Sequence, residues 1–274
     1  MAFRPASVSY FSQARQGPSA VRGHNFIAQR FDRASGEAHS ITSNTEVLFI
    51  FADGGGTLAT ANETHCIAPR AFVIAPPGKT EVRLDGPGHV YALTTGAAEP
   101  VWEQAINAAE YSTPDPRVKP VGASGARAVH EVRIHPVDQI PFPPGNPRLK
   151  FLQTATMSVN WVEYEGPRNR AQLSPHAHAD FQQGSLAIAG NFIHHIRTPW
   201  GSDANQWRDD EHIEASADSL LIIPPELLHT TEGVGVGRHI LIDVFAPPRD
   251  DFIAKGWVHN AGDYVAQGNQ SRGA

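Results

Sequence analysis

Short apolar runs broken by glycine and proline recur along the whole chain. Glu46-Val47-Leu48-Phe49-Ile50-Phe51 leads into Asp53-Gly54-Gly55-Gly56. A β-branched and aromatic run that ends in glycines predicts a strand closing in a hairpin turn. Ala71-Phe72-Val73-Ile74-Ala75 before Pro76-Pro77-Gly78 predicts a buried strand ending in a turn, and His89-Val90-Tyr91-Ala92-Leu93 another. Val8-Ser9-Tyr10-Phe11 predicts a short N-terminal strand or arm. Residues 100–111 place Val101, Ala105, Ile106 and Ala109 on one face, which predicts a short helix. Eight prolines between Ser112 and Pro147 predict a linker and partly extended crossover between two halves. Further strands are expected over 154–165, 184–189, 192–197, 219–223 and 238–245, with a polar loop over 198–211. After Phe252, Trp257, His259 and Tyr264 suggest an arm packed on a surface, with the last ten residues disordered.

Composition narrows the picture. In 274 residues, 41% hydrophobic content supports a real core, and 24 glycines with 22 prolines suit many short strands joined by turns. A net charge of −6 gives no reason to expect nucleic-acid binding. No run of 18 apolar residues exists, so no membrane span is indicated, and Met1-Ala2-Phe3-Arg4-Pro5 lacks the apolar core of a signal peptide. The single cysteine, Cys66, cannot form an internal disulfide and is expected to be a small buried hydrophobe. These features together suggest a soluble cytoplasmic protein. The triple glycine is not followed by Lys-Ser/Thr or a helical pattern, so it is a turn rather than a phosphate loop. No Gly-x-Ser-x-Gly is present, and cysteines for a zinc finger are lacking.

The candidate chemistry lies in Pro175-His176-Ala177-His178-Ala179-Asp180-Phe181-Gln182-Gln183 and in His229, which follows Ile222-Ile223-Pro224-Pro225. On a strand, residues i and i+2 face the same side, so His176 and His178 can enter one cavity. Gln183 has the opposite parity to His178, so a bend at 179–181 must re-aim it. Neutral imidazoles are good ligands for first-row divalent metals. With 14 histidines in the chain, an isolated pair is a weak signal. An internal repeat strengthens it. Ala75-Pro76-Pro77-Gly78-Lys79-Thr80-Glu81 matches Ile223-Pro224-Pro225-Glu226-Leu227-Leu228-His229 at an offset of 148. Glu46 and its apolar run match Gln183 and the run to Gly190 at an offset of 137, with an insertion around Thr198–Arg208. The first half has Ile41 where the second has His178, and Glu81 where it has His229. One copy thus keeps the architecture and has lost most of the nitrogen donors.

Other residues could line the same cavity. One of His194 and His195 should face inward. Arg197 could pair a substrate carboxylate or be solvated at a strand end. His239 could face the cavity or pack in the core. Asp180 could orient a histidine or cap a turn, whereas Gln182 should face away as a structural residue. Trp161, Trp200 and Trp207 could line an entrance, with 200–212 as the lid candidate. Asp209, Asp210 and Glu211 form a solvated face.

The arrangement resembles the cupin superfamily in its two-domain bicupin form. The family's first motif is His-x-His, three or four residues, Glu, six residues, Gly; here it is His176, His178, Gln183 and Gly190, with Gln for Glu. The second motif is Pro-x-Gly, two residues, His; here it is Pro224-Pro225-Glu226 and His229, with Glu for Gly. The leading Gly of the first motif and the closing Asn of the second are absent. The resemblance covers roughly residues 40–95 and 155–246. It implies an all-β fold of two tandem jelly-roll barrels, with a short helix and a Pro-rich linker. Residues 1–147 would form a degenerate structural domain and 148–274 a metal-bearing one. It further implies His176, His178, Gln183 and His229 as ligands of one divalent metal, Fe(II) first, with Mn, Ni, Cu or Zn as alternatives. Gln183 could instead bond a water ligand. The implied function is a dioxygenase acting on a small organic substrate. The alternatives are a non-redox isomerase, lyase or decarboxylase of a sugar acid or carboxylate, and a non-enzymatic binding protein. A homodimer is permitted by the extended N-terminus.

Overall fold

The computed structural model describes residues 3–14, 19–32, 38–122 and 130–264. The first half contributes β1 (Ser7–Tyr10), β2 (Ser19–Arg22), β3 (Ile27–Asp32), β4 (His39–Ser43), β5 (Val47–Phe51), β6 (Gly56–Ala59), β7 (Thr64–Ile67), β8 (Ala71–Ala75), β9 (Gly78–Leu84) and β10 (His89–Thr94). Helix α1 (Glu99–Glu103) follows, then β11 (Arg133–Pro136). The second half contributes β12 (Leu149–Gln153), β13 (Ser158–Glu165), β14 (Gln183–Ala189), β15 (Asn191–Arg197), β16 (Glu211–Ser216), β17 (Ser219–Ile223), β18 (Leu228–Val234) and β19 (Arg238–Phe245), then α2 (Asp250–Ala254). The all-β expectation therefore holds, and no described helix is long and apolar enough to cross a membrane.

The strands form two matching sets. One six-stranded sheet runs β11-β8-β5-β10-β3-β2 and the other β1-β17-β14-β19-β13-β12. The two orders correspond strand for strand. Each set has a smaller sheet, β4-β9-β6-β7 in the first half and β16-β15-β18 in the second. The halves also exchange edges. The N-terminal β1 extends the second half's sheet at β17, and β11, within the proline-rich segment, extends the first half's sheet at β8. The segment read as a linker thus supplies a sheet edge that would otherwise expose unpaired backbone.

The large sheets carry apolar residues on both faces because both faces are covered. On β5, Leu48 and Ile50 join the core between the two halves, with Phe72, Leu152, Trp161, Leu186, Ile222 and Val244. Val47, Phe49 and Phe51 join the interior of the first barrel with Ile41, Leu58, Val73, Val82 and Val90. Gly184 keeps the halves close, since a Cβ there would lie 2.6 Å from the Phe26 ring of the other half.

Several local expectations are revised. The glycine cluster after β5 is not a hairpin: β5 and β6 belong to different sheets. It is a corner, and it needs glycine because a Cβ on Gly56 would lie 2.3 Å from the Arg83 carbonyl oxygen. The helix expected over 100–111 stops at Glu103, because the Ile106 N–H donates to Ala20 O at 2.8 Å instead of continuing the helix; a 3-10 turn over Ala108–Tyr111 follows. The strand expected from Thr154 begins at Ser158, since Thr154 N–H donates to Met157 O in a tight turn. Cys66 is exposed rather than buried, on the edge strand β7. Trp161 is fully buried between the halves and lines no entrance. Val258 and Trp257 pack on Phe151 and Phe252, as an arm should; the last ten residues lie outside the described ones.

Candidate metal centre

The second barrel is not filled as the first is. Its apolar residues form three separate clusters, around Leu221, around Phe245 and around Leu241. A cavity of about 240 Å3 is lined by residues of the Phe245 and Leu241 clusters. Sheet register explains the difference. Val47 stands opposite Ala75 and Thr94, as Gln183 stands opposite Ile223 and Phe245. Val47, not Glu46, therefore takes the place of Gln183, one residue from the sequence match. By the same register Phe49 and Ala92 correspond to Ser185 and Asp243. A polar trio in the second barrel replaces an apolar trio in the first. Glu46 is a buried carboxylate with other partners: Arg133, the Tyr264 hydroxyl and the Ala155 N–H. Glu81 is exposed and paired with Lys79.

His176, His178 and His229 come together. One nitrogen of each lies within 4.8 Å of the others. His229 is on β18, and His176 meets it through an isolated bridge, His176 N–H to His229 O at 3.0 Å and the reverse at 2.8 Å. The His-x-His segment is tethered at both histidines, since the Glu226 N–H also donates to His178 O at 2.6 Å, and the chain bends before β14. Phe181 stacks on His178 with centroids 4.7 Å apart. The second motif's departure from glycine has a visible consequence: Glu226 sits at φ +70°, a left-handed conformation that favours glycine.

The donor atoms are oriented by their hydrogen bonds. His176 Nδ1 donates to Ser174 O and His229 Nδ1 to Leu227 O, both at 2.9 Å, so each Nε2 carries a lone pair. The Gln183 amide nitrogen donates to Asp243 Oδ1 at 2.9 Å and Ser185 Oγ at 3.1 Å, while Ser185 Oγ donates to Asp243 at 2.9 Å. That fixes Gln183 Oε1 toward His178 Nε2, 3.0 Å away, and His229 Nε2, 3.2 Å away. At His229 two lone pairs then face each other with no proton between them. Protonating the imidazole is the costly remedy, since burial pushes His229 down to about 4 and burial with its histidine neighbours pushes His178 down to about 3. A cation between the four groups removes the conflict, so the donor set fits a divalent metal. Burial pushes the Asp243 carboxyl up to about 6, against the hydrogen bonds from Ser185 and Gln183.

The other expected residues are placed as follows. Arg197 is exposed, pairs with Asp210 and does not line the histidine cavity; it lines a neighbouring pocket that shares His229 and Thr230 with it. His239 has interior parity but packs against Tyr164 and Phe192, its ring nitrogens 3.1 and 2.9 Å from the Gly237 and Val234 carbonyls. His194 is the inward member of its pair, and His195 meets Glu232 and His212. Asp180 pairs with Lys119 rather than a histidine. Gln182 is structural, accepting from His24 N–H at 2.6 Å. Trp200 and Trp207 stack on each other at 4.6 Å in the exposed 198–210 loop and do not line this cavity. Sequence reasoning missed Ser185, Asp243 and the arginines Arg148, Arg168 and Arg249 that line the cavity. Asp243 left one signal, a lone carboxylate inside Ile240-Leu241-Ile242-Asp243-Val244-Phe245.

No family model matches the chain, nor does any of the curated proteins. Solved structures do. An oxalate decarboxylase from Lactobacillus farciminis, in a formate complex, matches at TM-score 0.57 and 12% identity, over 88% of this chain and 86% of that one. AerE from Microcystis aeruginosa matches at 0.54 and 8%, over 84% and 91%. Procruciferin, an 11S globulin from Brassica napus, matches at 0.53 and 12%, over 82% and 76%. The fold is the two-barrel fold of these proteins, as expected from the resemblance to bicupins. At these identities the likeness concerns the fold alone.

Proposed function

We propose that this bicupin is a metal-dependent enzyme, with His176, His178, Gln183 and His229 holding one divalent ion in the second barrel. Residues 1–147 serve as its structural partner. The observation that carries the reading is the opposed pair of lone pairs at His229 Nε2 and Gln183 Oε1, 3.2 Å apart and locked by their outer hydrogen bonds. A divalent ion in this neutral donor set would keep its full charge as a Lewis acid and, if iron, could engage O2. The remaining work falls to the protein. Phe151, Phe245 and Phe252 keep one side of the cavity apolar, and Asp243 with Ser185 holds the Gln183 amide in orientation.

Within that class we favour a dioxygenase using Fe(II) and a small organic substrate. Among the described lining residues the only carboxylate is Asp243, already accepting from Gln183 and Ser185, so no unengaged carboxylate base faces the substrate space. A non-redox reaction on a carboxylate is the second reading, favoured by the arginines on the cavity wall. A cytoplasmic location and a homodimer complete the proposal. Elemental analysis of purified protein, followed by O2 uptake with small phenols, diketones and acids, tests it. Stoichiometric metal with O2 consumption is expected. Metal with turnover but no O2 uptake favours the second reading. Absence of metal, or metal retained fully in His176→Ala, refutes the site.

A further inference from the structure

Two arginines on the cavity wall lack the partners that such groups ordinarily have. Arg168 lies just before the His-x-His segment. Its backbone N–H donates to Gly233 O at 2.9 Å, and its guanidinium donates to Thr231 O at 2.8 Å and Ser174 Oγ at 3.0 Å. These are neutral acceptors. Among the described residues no carboxylate forms an ion pair with Arg168 or with Arg148, although both line the same cavity as the three histidines. Burial, and next the charge of Arg148, hold the Arg168 guanidinium below its ordinary value. Arg249, the third arginine of the wall, is already satisfied by Asp251 at 2.6 and 2.8 Å and lies over Phe252. The one carboxylate among the described lining residues, Asp243, favours the Arg168 charge but is engaged by Gln183 and Ser185, so two cations on this half-buried wall still gain from a further anion.

We propose that Arg168 and Arg148 form an anion subsite that takes the carboxylate of the substrate, next to the position of the metal; this rests on the metal-site reading above. Ser174 joins the two parts: its hydroxyl accepts from Arg168 while its carbonyl accepts from His176 Nδ1 at 2.9 Å. A group held by the guanidinium therefore lies beside the histidine cluster. The cavity volume sets the size. A cavity of about 240 Å3 suits a small acid. The chain's net charge of −6 repels anions generally, so a local positive wall is what would admit one. Arg197, the arginine that the sequence offered for this role, is satisfied by Asp210 and lies outside this cavity.

The test uses the full chain loaded with Zn(II), a redox-silent ion, and propionate as probe, with propionamide as its neutral counterpart. Calorimetric titration gives Kd, while elemental analysis and near-ultraviolet circular dichroism report metal content and fold. Arg168→Met should weaken propionate binding by at least about tenfold, the size of one charge-assisted hydrogen bond, at unchanged metal content. Arg148→Met should weaken it less, and Arg168→Lys should recover part of the loss by keeping charge without the planar fork. Propionamide should not compete. Equal Kd values for wild type and Arg168→Met would show the acid anchored on the metal alone and would overturn the subsite, as would failure of wild type to bind propionate. If wild type takes up no metal, the metal reading fails by itself. The same comparison in unloaded protein then still decides the subsite, a loss on Arg168→Met supporting it and equal binding overturning it.

Discussion

Burial in the second barrel disfavours a charged His194, which is not one of the four proposed ligands although the charge of His229 adds to the effect. His194 is fully buried on β15, with Thr231 Oγ1 2.9 Å from Nδ1 and no partner for Nε2 among the described residues. Burial pushes it down to about 3, against 6.5 for an ordinary histidine. The folded-state value is depressed, so at low pH the unfolded chain binds a proton that the folded chain refuses. Stability from this group is complete above about 6.5 and is lost as pH falls toward 3. At pH 5 the loss is about 1.5 units times 1.36, or roughly 2 kcal/mol. In His194→Leu this titration disappears. The substitution alters packing as well, but that change is the same at every pH. Urea unfolding of the chelated wild type and variant at pH 8 and pH 5 therefore isolates the proton term. The variant should gain about 2 kcal/mol on wild type between pH 8 and pH 5. The other buried histidines contribute equally to both proteins and cancel. A stability difference that is unchanged between the two pH values would refute the reasoning, since it would mean that water reaches His194 and the barrel interior is not dry.

Other substitutions test other parts of the molecule. Gln183→Glu places a second carboxylate oxygen where an amide now donates to Asp243 at 2.9 Å. Two charges at that distance repel by on the order of 5 kcal/mol at an effective dielectric of 20. The chelated variant should therefore take up a proton on folding and lose stability as pH rises from 5 to 8, and a divalent ion should restore it; flat stability in a pH series would contradict this. His176→Ala should weaken metal binding by more than the roughly 10–100-fold expected for losing a residue that only supports a ligand, measured by chelator competition. Glu46→Gln removes the buried partner of Arg133, and unfolding should show a loss of about 3–5 kcal/mol with metal content unchanged. Arg197→Ala, at an exposed and solvent-screened ion pair, should leave both stability and propionate affinity close to wild type.

The sequence revealed most where the side-chain pattern repeats. The strand runs around Val47, Ala71, His89, Ser219 and Arg238 all stand where alternation and glycine or proline boundaries put them. Short strands such as β6, β7 and β16 were not legible; β16 starts at Glu211, where the span read as a polar loop ends, and only its pairing with β15 marks it as a strand. The match of Glu46 to Gln183 failed by one residue, since chemical likeness pointed to Glu while register, set by the ladder with Ala75, pointed to Val47. The three histidines were readable because both motifs name them. Arg168 was not, because it lies in an irregular segment whose course depends on contacts with Gly233, Thr231 and Ser174.

The two barrels show how one scaffold can support a site that its twin could not. On the face toward the other half, both large sheets remain apolar: Leu48 and Ile50 on β5, Leu186 on β14, Tyr91 and Leu93 on β10, Ile240, Ile242 and Val244 on β19. That shared core, with the exchanged edges β1 and β11, stabilises both barrels without using either interior. The interior face is then free to differ. In the first barrel Val47, Phe49 and Ala92 help fill it with one apolar cluster. In the second, Gln183, Ser185 and Asp243 bring polar atoms whose hydrogen bonds are largely spent on one another, leaving one amide oxygen aimed at two imidazoles. A buried polar trio of this kind is unfavourable unless each group finds a partner. Its retention at three register-matched interior positions follows if the amide oxygen has a cation to face. Joining the halves through their outer faces lets one interior carry that unfavourable burial while the other stays fully packed.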